Sequence, residues 1–185
     1  MEAVLISGSP ATASKSRTLL EHARARLEAA GCSTTVIDLT SIPADALLGR
    51  RKDDTRVLEA LSAIQAAGIV VASSPTYRAT YTGLLKTFFD LLPQDALAGK
   101  IGLPILTGGG PSHQLALDHT FRPLFASVGA TTVNGVYGYD AQFMSGPDST
   151  LLAQIDAAVD EVLRIAKSSP GVRGEDTTQT TGVKA

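Results

Sequence analysis

Hydroxyl and cationic side chains are concentrated in one short segment near the N-terminus. Residues 8–18 carry five hydroxyls and two cations, and they run directly into a segment with helical periodicity. A helix N-terminus binds anions through its free N–H groups and the positive end of its dipole, and hydroxyls add further hydrogen-bond donors. The segment therefore predicts a site for a phosphate monoester. The alternative is that Ser14 or Ser16 only caps the helix, which accounts for one hydroxyl but not for the cluster.

Two well-known phosphate motifs do not fit this segment. The motif GxxxxGK[ST] needs a second glycine directly before its lysine, but Lys15 stands one place late and that glycine is missing. No acidic residue ends the third predicted strand to hold magnesium, so an NTPase is excluded. The dinucleotide fingerprint GxGxxG keeps only Gly8. Asp38, where a ribose-binding acid would lie, is interpreted as a solvated carboxylate at a strand end.

Two later segments also differ from ordinary connections. Residues 75–83 hold two of the four tyrosines, and residues 107–113 contain three consecutive glycines. Consecutive glycines allow the backbone to approach a flat ring closely. Together with the phosphate segment, they predict a site for a planar heteroaromatic ring that carries a phosphate, a description that FMN matches. The alternative is a glycine-rich surface turn without a ligand.

Strand-like and helix-like segments alternate between these three loops. Strands are predicted at residues 3–7, 34–39, 69–72, 101–106 (interrupted by Pro104) and 131–137, helices at 16–30, 54–67, 83–92, 113–127 and 150–167, and an irregular connection at 40–52. This alternation indicates an α/β fold with a parallel sheet and helices on both faces. The chain length and the number of strands favour a flavodoxin-like, doubly wound, five-stranded sheet in the order 2-1-3-4-5 over the six-stranded dinucleotide fold. In that order a ligand crevice opens at the carboxyl ends of strands one and three.

Length and composition set the outer limits of this interpretation. Residues 1–167 are predicted to form a single domain, and residues 168–185, rich in Ser, Thr and Gly, a disordered tail. Sixteen Lys and Arg against eighteen Asp and Glu give a net charge of −2, which argues against nucleic-acid binding. A single cysteine, Cys32, excludes an internal disulfide and a multi-cysteine metal site. The N-terminus lacks the basic region of a signal peptide, and no apolar run approaches about 20 residues, so we expect a soluble, cytoplasmic protein without a membrane partner.

The sequence resembles the NADPH-dependent FMN reductase family over about residues 3–167. The resemblance is carried by Gly8-Ser9-Pro10 with residues 14–18, by residues 75–86, by Asp90 and by Thr107-Gly108-Gly109. Residues 97–113 and 118–123 look most like the branch that supplies reduced flavin to alkanesulfonate monooxygenases.

This resemblance implies a set of contacts for the cofactor. The phosphate of FMN is expected at Ser9, Ser14, Ser16, Arg17 and Thr18. The isoalloxazine ring is expected against Pro75, Thr76, Tyr77, Arg78, Thr107, Gly108, Gly109 and Gly110, with His113 nearby. A π-bulge at a tetramer interface is implied in the fourth helix, with His119 at the inserted position, so we expect a homo-oligomer.

The resemblance also implies hydride transfer from NADH or NADPH to FMN, and delivery of reduced FMN to a partner monooxygenase. Since the cofactor carries this chemistry, no catalytic acid, base or nucleophile is assigned. Two alternatives remain open. One is a quinone or azo reductase that retains FMN, and the other is a flavodoxin-type electron carrier. Such carriers usually have a strongly charged docking surface, and a net charge of −2 argues against one.

Overall fold

The apolar runs of the sequence form one parallel sheet. The computed structural model describes residues 1–168. Strands β1 to β6 span Glu2–Ser7, Ser33–Asp38, Ile69–Pro75, Ile101–Gly108, Thr131–Thr132 and Val136–Tyr139. The order is β2-β1-β3-β4-β5, with β6 also paired to β4, and every pairing is parallel. This confirms the predicted flavodoxin-like order.

Helices cover both faces of the sheet, as predicted. Helices α1 to α6 span Lys15–Ala29, Ala44–Leu48, Thr55–Ala66, Gly83–Phe89, Arg122–Ala126 and Ser149–Ser168. Helices α1 and α6 pack their buried apolar residues against one face, and α2 to α5 pack theirs against the other. The sheet is therefore buried on both sides, which explains why β1 and β3 are continuous apolar runs.

The predicted fifth strand, residues 131–137, is divided into β5 and β6. The expected interruption at Pro104 does not occur in β4, which continues through that residue. The carbonyl of Gly102 accepts a hydrogen bond from the Val133 N–H. Because the backbone groups of successive residues point alternately to the two neighbouring strands, those of residues 102 and 104 face the same strand. Pro104 has no N–H to donate there. Gly135 passes so close that a Cβ would lie 2.6 Å from the Pro104 carbonyl oxygen. The interruption therefore occurs not in β4 but in the segment that pairs with it, between β5 and β6.

The predicted fourth helix, residues 113–127, consists of three pieces. A 3₁₀-helix spans Pro111–Gln114, a π-helix spans Leu117–Phe121, and α5 follows. The π-helix contains His119, so the π-bulge that the resemblance implied is present. π-Helical turns are rare and are frequent at functional sites.

The connection predicted as irregular, residues 40–52, contains the short helix α2, which follows the 3₁₀-helix Leu39–Ser41. Five residues are too few to show helical periodicity in the sequence. The buried side chains of Ala46 and Leu47 hold α2 in place, so tertiary packing rather than a local pattern determines it.

Within residues 1–168 there is no helix with both the length and the apolar character needed to cross a membrane. Of the predicted disordered tail, Ser168 is the last residue of α6. The rest of that tail lies outside the described residues.

Candidate functional site

The three segments predicted to bind a ligand meet at the carboxyl edge of the sheet. In register, Ser7 of β1 lies beside Ser73 of β3, and Pro75 of β3 lies beside Thr107 of β4. A crevice of about 220 Å³ opens there, lined by Lys15, Pro75, Thr76, Thr107, Gly108, Gly109 and Asp140. Five of these seven residues are predicted site residues.

Buried hydrogen bonds fix the first loop against the loop that follows β3. The Thr82 hydroxyl donates to the Gly8 carbonyl over 2.6 Å and accepts from the Leu85 N–H over 3.1 Å. The Thr82 N–H donates to the Ser74 hydroxyl over 2.9 Å. A Cβ at Gly8 would lie 2.9 Å from the Ser73 carbonyl oxygen, so this close approach requires glycine. The two loops therefore form a preorganised base for the crevice.

The N-terminus of α1 has unused hydrogen-bond donors. Ser14 is the N-cap, and its hydroxyl accepts from the Arg17 N–H and lies 3.2 Å from the Ser16 hydroxyl. In the described part of the chain, no hydrogen bond uses the backbone N–H of Ala13, Lys15 or Ser16. Capping thus satisfies one donor of the first turn and leaves others for an anion.

The other two hydroxyls predicted for the phosphate lie in the same loop and first turn. Ser9 is buried, and its hydroxyl hydrogen-bonds within the loop to the backbone of Ala11. Thr18 is exposed, and its hydroxyl donates to the Ser14 carbonyl. All five predicted phosphate ligands are therefore grouped at this end of α1.

The guanidinium of Arg17 is held by an acidic partner. Its Nη2 donates to Asp38 over 2.6 Å, while its buried Nε has no hydrogen-bond partner among the described residues. Burial raises the pKa of Asp38, but hydrogen bonds from Arg17 and Thr40 outweigh that effect, and the pKa lies below its usual value. Asp38 is thus a carboxylate that orients Arg17. The Asp38 side chain is still 30% exposed, so the carboxylate interpreted from the sequence as solvated is also ion-paired.

Pro75 and Thr76 supply one wall of the crevice. The Thr76 N–H donates to the Thr107 carbonyl over 2.6 Å, which joins the ends of β3 and β4. The buried hydroxyl of Thr76 has no partner among residues 1–168. A buried polar atom without a partner is unfavourable, so this hydroxyl is suited to a polar group on a ligand.

Tyr77 and Arg78 lie in the same loop but do not line the crevice. Tyr77 and Thr80 exchange backbone hydrogen bonds, and Arg78 and Ala79 between them have φ values of +50° and +67°. This is the geometry of a type I′ turn, in which non-glycine residues are strained. The turn leaves Tyr77 50% exposed.

The three consecutive glycines have different roles. A Cβ at Gly108 would lie 2.5 Å from the Tyr137 hydroxyl and 3.1 Å from Nδ1 of His113, so these two side chains pack closely against Gly108. At Gly109 the nearest atom would be 3.9 Å away, and at Gly110 nothing lies within 4 Å. Only these two leave open space for a flat ring. Gly108 also lines the crevice, so its backbone faces both the Tyr137 and His113 side chains and the predicted ring site.

His113 contacts the crevice only indirectly. It stands beside Gly108, but it lines a neighbouring cavity of about 190 Å³ together with Ala79 and His119. The structure thus brings the tip of the loop after β3 close to the π-helix.

Sequence reasoning missed one charged pair in the crevice. Lys15 Nζ lies 2.8 Å from Oδ1 of Asp140 and 5.5 Å from the ring centre of Phe143. Asp140 comes directly after β6, whose carboxyl end reaches the same edge of the sheet as those of β1, β3 and β4. Because the carboxyl ends of parallel strands share one edge, the loop after the fifth predicted strand was the signal that would have identified Asp140.

Residues 1–168 contain no group of three or more His, Cys, Asp or Glu side chains arranged to hold a metal ion. The donors at the crevice and at the N-terminus of α1 are hydroxyls, backbone N–H groups and the cations Lys15 and Arg17. This chemistry suits a phosphate and the polar edge of a ring.

The fold is that of a flavodoxin-like protein, with a crevice at the carboxyl edge of its sheet. The family described as NADPH-dependent FMN reductase matches residues 1–144, and the chain belongs to this family. It is therefore an NAD(P)H:FMN oxidoreductase.

Individual relatives agree with this assignment. An FMN reductase (NADPH) from Pseudomonas putida is 37% identical over 164 residues, which cover 88% of this chain and 83% of the relative. An NADH-dependent FMN reductase, SfnE, also from Pseudomonas putida, is 34% identical over 146 residues, or 77% and 78% of the two chains. The apo crystal structure of an NADH:FMN oxidoreductase, EMOB, superposes with a TM-score of 0.86 at 35% identity and covers 96% of each chain.

The residues present fit FMN on three structural observations. The first turn of α1 has unused N–H groups, the buried Nε of Arg17 and hydroxyl of Thr76 lack protein partners, and Gly109 leaves room beside the backbone. A phosphate, a ring carbonyl or ring nitrogen, and a flat aromatic face would satisfy these three features.

Proposed function

We propose that the crevice is the FMN site, with the phosphate at the N-terminus of α1 and the ring between the loops after β3 and β4. The main support for this proposal is that the unpaired N–H groups at the start of α1, the Thr76 hydroxyl and the Gly109 backbone lie at the same edge of the sheet. The proposed phosphate ligands are Ser9, Ser14, Ser16, Arg17 and Thr18. The proposed ring contacts are Pro75, Thr76, Thr107, Gly108 and Gly109, which line the crevice, together with Tyr77, Arg78, Gly110 and His113 in the loops beside it.

When bound, FMN supplies the N5 atom that accepts hydride from C4 of the nicotinamide. The contribution of the chain is to position the two rings and to stabilise charge. Ser14 and Arg17 anchor the phosphate end, while the backbone of Gly109 leaves the ring region unobstructed. We assign no proton-transfer residue, since hydride transfer does not require one.

We further propose that reduced FMN leaves the crevice and serves a partner monooxygenase of the organosulfonate type, as the resemblance implies. The support from the structure is an open site, because the side chains of Lys15 and Asp140 at its border are 41% and 60% exposed. The π-helix and the neighbouring exposed side chain of Leu115 support self-association through that face.

The test is steady-state oxidation of NADH and of NADPH by protein that has passed through a desalting column. We expect oxidation only when FMN is added back, since an exchangeable flavin is lost on the column. Full activity without added FMN, in yellow protein, would instead identify a reductase that retains its flavin. Tight FMN binding without oxidation of either nucleotide would identify an electron carrier.

A further inference from the structure

We propose that Asp140 keeps FMN exchangeable by pairing with the Lys15 ammonium and withholding that cation from the phosphate. This inference rests on the proposed function and adds to it an affinity-setting residue that lies outside the predicted phosphate ligands. Lys15 is expected to strengthen FMN binding and Asp140 to weaken it, although the two side chains form one ion pair.

The position of the pair supports this role. Lys15 is the first residue of α1, directly after the N-cap Ser14, so it stands at the end of the helix where the unused donors lie. Asp140 is the first residue after β6. Among the crevice-lining residues of the described chain, these two alone are charged, and their Nζ and Oδ1 atoms are 2.8 Å apart.

The Lys15–Asp140 ion pair contributes little to the stability of the fold. The side chains of Lys15 and Asp140 are 41% and 60% exposed, and exposed ion pairs contribute little to stability. Within residues 1–168, the carboxylate of Asp140 has no hydrogen-bonding partner other than Lys15. The ring of Phe143, 5.5 Å below the Lys15 ammonium, keeps the cation at the crevice even without Asp140. Removing the carboxylate should therefore leave the fold intact and the cation in place.

Electrostatics then gives the sign of the effect. The phosphate of FMN carries close to two negative charges at neutral pH. Asp140 neutralises Lys15 and also repels that phosphate, while Arg17 is similarly occupied by Asp38. Both cations near the proposed phosphate position, Lys15 and Arg17, are therefore already paired with a carboxylate. Weaker phosphate binding appears mainly as faster dissociation, which is what an enzyme that hands over reduced FMN requires.

The experiment measures FMN and riboflavin affinity by fluorescence quenching, and FMN dissociation by stopped flow, on desalted protein. For Asp140→Asn we expect FMN to bind about three- to tenfold more tightly and to dissociate correspondingly more slowly, the size of effect typical of partly exposed charges acting on a dianion. Riboflavin affinity should not change. Lys15→Met alone should weaken FMN binding. When Asp140→Asn is combined with Lys15→Met, it should increase FMN affinity by less than half of the increase that it gives on its own.

The matched control is Asp45→Asn. Asp45 lies on α2, outside the crevice lining, and its carboxylate forms an exposed ion pair with Arg51. This substitution should leave FMN affinity unchanged. Absence of FMN binding by the unaltered protein would defeat the proposed function itself. Normal FMN binding with unchanged or weaker affinity in Asp140→Asn would overturn only the role of Asp140. An equal gain with riboflavin would overturn it too, because the pair would then act on the ring.

Discussion

Riboflavin is expected to be a poor substrate, with a KM about 10²- to 10⁴-fold above that of FMN. The two flavins share the same ring and differ by the phosphate, so the comparison isolates the N-terminus of α1 and the Arg17 guanidinium. Hydrogen bonds to a charged group are worth about 1.5–3 kcal/mol each. The loss of two, one from the helix and one from Arg17, gives this range, since 1.4 kcal/mol is a factor of ten.

The measurement is kcat and KM for both flavins with saturating NADH or NADPH. The kcat values should lie within a few-fold of each other, because the ring that accepts hydride is the same. Equal KM values would contradict a phosphate site at α1, even if both flavins were reduced quickly.

Replacing Arg17 with alanine is expected to raise the KM for FMN by about 10- to 150-fold, the loss of one charge-assisted hydrogen bond. The substitution also leaves the Asp38 carboxylate without its cation, and that charge adds repulsion toward the phosphate. The increase should therefore fall in the upper part of the range. Riboflavin, without a phosphate, should show an unchanged KM.

Arg24→Ala is the matched control for this variant. Arg24 lies on the same helix, and its guanidinium pairs with Glu28 on the exposed surface. It should leave both KM values as they are. If Arg17→Ala raised the KM for riboflavin as much as that for FMN, Arg17 would be holding the loop rather than the phosphate. An unchanged KM for FMN would show that Arg17 does not contact the phosphate.

The parallel strands with helices on both faces could be predicted because their determinants are local, and the chain length and strand number favoured the order of the sheet. Continuous apolar runs such as those in β1 and β3 indicate strands buried on both faces, and short loops between alternating strands and helices leave few topologies. The division of the last strand could not be predicted in this way. It depends on the missing N–H of Pro104 and on the approach of Gly135, two residues brought together only by strand pairing.

The candidate site was predictable in composition but not in its ion pairs. The hydroxyl-rich first loop and the glycine-rich fourth-strand loop are visible as runs of residue type. The pairs Arg17–Asp38 and Lys15–Asp140 join residues 21 and 125 positions apart, and no periodicity indicates such contacts. The role of Gly108 likewise depends on Tyr137, which reaches it from β6.

The most direct test of the FMN site is a crystal structure of the protein grown or soaked with FMN. We expect the phosphate at the N–H groups of Lys15 and Ser16, within hydrogen-bond distance of Arg17, and the ring against Thr76 and Gly109. Flavin in the cavity of about 650 Å³ between the π-helix and α6, with the crevice at the carboxyl edge left empty, would contradict this expectation.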